Sequence, residues 1–129
     1  MIFNELGWSS MSTVTLTIPA QTDQVALVRS AAASLAAHSG FTIDRIDDIR
    51  LAIDEAAALC IASAAAGASV RVDMELLSGA LELRVGVRTE KREPPRKNTF
   101  AWTVLTALVD TVQVDLIGGM LLITLQVNA

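Results

Sequence analysis

The sequence predicts an α/β fold, a two-layer sandwich in which three helices cover one face of a mixed, mostly antiparallel five-stranded sheet. Three observations carry this reading. Five short stretches alternate apolar and polar residues with the two-residue period of half-buried strands, and three longer ones repeat apolar residues at intervals of three and four, as helices with one buried face do. The order is strand, helix, helix, strand, strand, helix, strand, strand, so short turns join neighbouring strands and the helices are left to stack on one side.

TVTLTI, residues 13–18, alternates threonine with Val14, Leu16 and Ile18, and Pro19 ends it as a strand. From Thr22 to His38 a helical stripe runs through Val25, Val28, Ala32, Leu35 and Ala36, and Ser39-Gly40 stops it. Thr42 is placed to cap the second helix, and Asp44, Asp47 and Asp48 bring negative charge to the positive end of its dipole. Its stripe of Ile46, Ile49, Ile53, Ala56 or Ala57 and Cys60 extends to about Ala66, with Gly67 closing it and small side chains allowing close approach of another element. VRVDMEL (70–76) and LELRVGVR (81–88) each put four apolar residues on one face, and the Ser78-Gly79 connection makes them an antiparallel hairpin.

TEKREPPRKNT, residues 89–99, breaks every period. Lys91, Arg92, Arg96 and Lys97 mix there with acids and Pro94-Pro95, a loop composition. Thr99 caps a third helix carrying Phe100, Val104, Leu105, Leu108 and Val109, whose spacing places Phe100 in the core and leaves Trp102 more open. Residues 111–127 then read as strand, Gly118-Gly119 turn, strand. Residues 1–11 show neither period and are assigned to an N-terminal extension, with residues 12–129 forming the domain.

A chain of 129 residues suits one domain with a real core. Mean hydropathy is high at +0.48, but charged residues break the apolar runs before they reach about 18 residues, the length that spans a bilayer. The opening MIFNELGWSSM has no basic region and no continuous apolar run of a secretory signal, so a soluble, cytoplasmic protein without membrane contact is expected. The net charge of −4 argues against direct nucleic-acid binding. Cys60, the only cysteine, sits in an apolar run and reads as a buried structural thiol; His38, also alone, reads as a surface residue at a helix end. No metal site is expected.

The stretch LAIDEAAALCIASAAAGA (51–68) raises a question, because Asp54 and Glu55 stand side by side ahead of small and apolar residues. Carboxylates there act in catalysis, meet a cation on a partner, face solvent or answer Arg50 one turn earlier; the helical spacing favours the last two.

DDIRLAIDEA (47–56), together with TLTIPAQTDQVALVRSAAASLAAHSGF (15–41) and FAWTVLTALVDTVQV (100–114), resembles the anti-sigma-factor serine kinases of the GHKL, or Bergerat-fold, histidine-kinase-like ATPase superfamily, the actinobacterial type in particular. The resemblance implies that fold, and it implies roles for single positions. Glu55 stands where the family has its general base. Four residues on, where an asparagine holds Mg²⁺, stands Leu59, and leucine offers a hard cation no oxygen. Val87 and Thr89 occupy the Asp and Gly of the adenine-reading Asp-x-Gly motif. Asn98, Thr99 and Ala101 replace the glycine-rich lid that frees backbone N–H groups for phosphates.

The resemblance therefore implies an anti-sigma factor that sequesters an alternative sigma factor, is antagonised by a STAS-domain anti-anti-sigma protein, forms a homodimer and has lost its nucleotide, with no cofactor. The alternative is an active serine-protein kinase that uses ATP and Mg²⁺ to phosphorylate the antagonist, with Glu55 as base. A pocket for another small ligand is a third possibility.

Overall fold

The computed structural model describes residues 2–3 and 9–129, with side chains from residue 13 onward. Strands β1 (Ile2–Phe3), β2 (Ser9–Pro19), β3 (Ser69–Leu77), β4 (Ala80–Arg88), β5 (Thr111–Ile117) and β6 (Met120–Asn128) form one sheet in the order β1-β2-β3-β4-β6-β5. Helices α1 (Val25–Ala37), α2 (Ile43–Ser63) and α3 (Phe100–Leu108) pack on one face. The five expected strands and three helices are present in the expected order.

The sheet departs from expectation in two ways. Every ladder is antiparallel, where a mixed sheet was expected, because α3 returns the chain to the far side of β6 and so lets β6 run antiparallel to both β4 and β5. The first strand is also longer than TVTLTI: it begins at Ser9 and pairs at that end with the two-residue β1. Residues 1 and 4–8 of the expected N-terminal extension lie outside the described residues.

Alternation decides which side of each strand is buried. Val70, Val72 and Met74 on β3, Leu81, Leu83, Val85 and Val87 on β4, and Leu121, Ile123, Leu125 and Val127 on β6 are almost fully buried beneath the helices. Each such side chain contributes on the order of 1.5–3 kcal/mol. The opposite face is polar, with Thr15 donating to Asp73 at 2.7 Å and Arg71 to the same carboxylate at 3.2 Å. Gly118 and Gly119, at φ 58° and 78°, form the two-residue turn between β5 and β6, a left-handed pair that matches the strand twist.

Both predicted caps are present: Thr42 accepts from the Arg45 N–H at 3.2 Å and Thr99 from the Trp102 N–H at 3.3 Å. Helices α1 and α2 meet through small side chains, with Ala32, Ala36, Ala52, Ala56 and Ala57 fully buried. α1 begins at Val25, after a 3₁₀ turn at Thr22–Gln24. α2 ends at Ser63, short of the expected Ala66, because Ala64 leaves the helix to bridge Thr89 and the Ala65 N–H bonds the Arg88 carbonyl at 2.8 Å.

Phe100 reverses its expected place. As the first residue of a nine-residue helix it is 82% exposed, whereas Leu105 and Val109 of the same stripe are buried. Trp102 is partly buried against the core, with the Lys97 ammonium 5.3 Å above its ring.

Candidate functional site

α2 carries the two carboxylates in question, and the fold gives them different surroundings. Both are half-buried. Asp54 turns toward α1, where Nη1 of Arg29 reaches its two oxygens at 3.1 and 3.0 Å. Arg50, the partner expected from helical spacing, instead pairs with Asp47 at 3.2 Å. The intrahelical pair was legible from spacing; the one that forms bridges α1 and α2 over 25 residues of sequence, which a single-helix reading does not reach. Glu55 makes no hydrogen bond or ion pair among the described residues.

One turn further along α2, Leu59, Ala62 and Ser63 form one wall of a cleft of about 530 Å³, and loop residues 91–96 form the other. Leu59 is thus the one resemblance-assigned position that lines this cleft. Val87 is fully buried in the core beneath the helices. Thr89 is 5% exposed, is fixed by its N–H to the Gly119 carbonyl at 2.8 Å, and uses its hydroxyl to accept from the Lys91 N–H at 3.1 Å. Thr99 is occupied in capping α3, and neither Asn98 nor Ala101 lines the cleft. Glu55 is also absent from its walls.

The α2 wall does not supply the oxygen ligands that a magnesium-bound nucleotide needs. Mg²⁺ requires oxygen ligands, yet the α2 wall offers Leu59 and Ala62 with a single hydroxyl, and among the described residues no three His, Cys, Asp or Glu side chains converge. Val87 has no group with which to accept from an adenine amine. The cleft is instead apolar along α2 and charged along the loop.

Cys60 and His38 stand as read from sequence. Cys60 is fully buried, its thiol donates toward the Val85 carbonyl at 3.6 Å, and burial pushes its pKa up from 9.0 to about 12, so it is no nucleophile at neutral pH. His38 is exposed beyond the end of α1, with Nδ1 2.7 Å from the Ser34 carbonyl oxygen.

Sequence reasoning missed the role of Arg45. Its guanidinium contacts Asp48 at 3.1 Å, Asp110 at 2.6 Å and the carbonyls of Leu108 and Asn128 at 3.3 and 3.1 Å, tying the start of α2 to the end of α3 and of β6. Asp110 also accepts from the Asn128 N–H at 2.7 Å. These partners lie 63 to 83 residues away from Arg45, apart from Asp48. Its only signal in the sequence was a lone arginine among aspartates.

Among the described residues no helix is long and apolar enough to cross a membrane. A family model described as the histidine kinase-like ATPase domain matches residues 18–125. The chain is 28% identical over 100 residues to the anti-sigma-F factor RsbW of Mycobacterium tuberculosis, in strains CDC 1551 / Oshkosh and ATCC 25618 / H37Rv, over 78% of this chain and 60% of the relative. It thus spans about three fifths of the length of these relatives. The crystal structure of the RsbU and RsbW domains of Rv1364c from Mycobacterium tuberculosis aligns with a TM-score of 0.74 at 20% identity, covering 92% of this chain and 32% of that one, a likeness of fold.

Proposed function

The chain belongs to the histidine kinase-like ATPase domain family, and on that premise we propose that it is a cytoplasmic anti-sigma regulator whose fold has outlived its nucleotide site. It binds and sequesters an alternative sigma factor as a homodimer, and a STAS-domain anti-anti-sigma protein releases it. The likeness to anti-sigma-F factors supports the partner class. The observation that carries the loss of nucleotide is Leu59: the cleft is open and the fold intact, but an aliphatic side chain lines it where a cation needs an oxygen.

Regulation then works by surface occlusion and partner exchange. Sigma factor held on this domain is withheld from transcription, and no direct contact with DNA is involved, in keeping with the net charge of −4. Exposed Phe100 supplies an aromatic anchor of the kind that dominates interfaces.

Glu55 favours a second reading. A half-buried carboxylate with no partner among the described residues, at the position where the family has its general base, is the feature that a serine-protein kinase needs. Gel filtration of the chain with sigma factors and STAS proteins of its own organism, with and without Mg-ATP, separates the two. A sigma complex that ATP leaves unchanged and a STAS protein dissolves is the expected result. Phosphate transfer to the STAS protein establishes the kinase instead, and the absence of any sigma complex overturns the proposal.

A further inference from the structure

The protein has ten Lys and Arg residues, and their pairing is uneven in space. Arg29, Arg45, Arg50, Arg71 and Arg84 each meet a carboxylate. Arg88 donates to the Ala66 carbonyl and Lys97 lies over the Trp102 ring. Of these ten, only Lys91, Arg92 and Arg96 have side chains with no hydrogen-bond, ion-pair or ring partner among the described residues, and all three line the one cleft between α2 and the loop. Glu93 is the single carboxylate among them.

A second observation comes from the opposite wall. Ser63 is 8% exposed, lines the same cleft, and its hydroxyl makes no hydrogen bond among the described residues. Buried hydroxyls are nearly always bonded, so one left open beside three unpaired cations marks a place for an acceptor. Leu59, Ala62 and the Pro94-Pro95 rings supply apolar surface between these polar groups.

We propose that this cleft binds an amphipathic organic anion without a metal, its carboxylate or phosphate head held by Arg92, Arg96, Lys91 and the Ser63 hydroxyl, its apolar body lying on Leu59 and Ala62. Guanidinium groups bond both kinds of head in bidentate fashion, and the hydroxyl donates to either. Glu93 repels a highly charged head, so one or two negative charges suit the site better than a triphosphate. The inference rests on the reading that the nucleotide is lost, and it gives the remaining cleft a ligand.

The test is titration of the full chain, followed by amide chemical shifts, with octanoate and octyl phosphate as probes. Octanol tests the tail alone, inorganic phosphate the head alone, and Mg-ATP the ancestral ligand. Saturable binding of octanoate, octyl phosphate or both, with shifts centred on residues 59–63 and 91–96, is expected, and which of the two binds better identifies the head. Ser63→Ala and Arg96→Ala each weaken it about tenfold. Octanol binding as tightly as the anions, or unaltered affinity in both variants, overturns the proposal. No saturable binding by any probe also overturns it while leaving sigma sequestration standing. Mg-ATP binding more tightly than the octyl anions overturns both this proposal and the loss of the nucleotide.

Discussion

Asp54 is a structural tie between α1 and α2, and a double-mutant cycle with Arg29 measures it. The pair joins one guanidinium nitrogen to both carboxylate oxygens at 3.0–3.1 Å, but the side chains are 41% and 32% exposed, so water competes and the geometry is that of a partly solvated ion pair. The coupling energy is then about 0.5–1 kcal/mol, the upper part of the range for surface pairs. Asp54→Ala alone costs about 1 kcal/mol and lowers Tm by roughly 3–5 °C in a domain of this size. Urea denaturation of the parent, Arg29→Ala, Asp54→Ala and the double variant gives the coupling directly. Because the screening length drops to about 3 Å in 1 M salt, the coupling shrinks there. A parallel cycle of Arg50 with Asp54 shows none, since Arg50 is engaged with Asp47. Additivity between Arg29 and Asp54, or coupling between Arg50 and Asp54, refutes the assignment.

Three further outcomes follow from the packing. Arg45→Ala strips contacts from two carboxylates and two carbonyls and lowers urea stability by about 2 kcal/mol; Arg45→Lys recovers only part of it, because a single ammonium cannot serve acceptors in several directions. Cys60 keeps its proton in the fold up to about pH 12, while the unfolded thiol loses it near 9. Its stabilising contribution is therefore full below pH 9 and declines from there to about pH 12, a decline that Cys60→Ala removes from the urea midpoint profile. Phe100→Ser changes Tm little, within about 0.5 kcal/mol of stability, because the ring is exposed; a core position for Phe100 predicts a loss several times larger.

Periodicity made the fold legible. Alternation at 70–76 and 81–88, helical stripes ending at Gly40 and Gly67, and threonines at 42 and 99 all act locally, and the observed hairpins, helices and caps follow them. What escaped depends on the third dimension. The Phe100 position satisfied helical spacing but falls at the first residue of its helix and is exposed, so period alone misjudged it. The early end of α2 is set by a bridge from Ala64 to Thr89, a long-range pairing with no local mark. Within the site, Leu59 and Ser63 are one turn apart, but their convergence with Arg92 and Arg96 depends on how a patternless loop returns across α2.

The central claim is a histidine-kinase-like fold that no longer takes a nucleotide, and calorimetric titration of the full chain with Mg-ATP tests it most directly. The account predicts no binding heat from the native chain, nor from Leu59→Asn, since the buried Val87 and the fixed Thr89 remain in place. Saturable one-to-one binding of Mg-ATP to the native chain contradicts it.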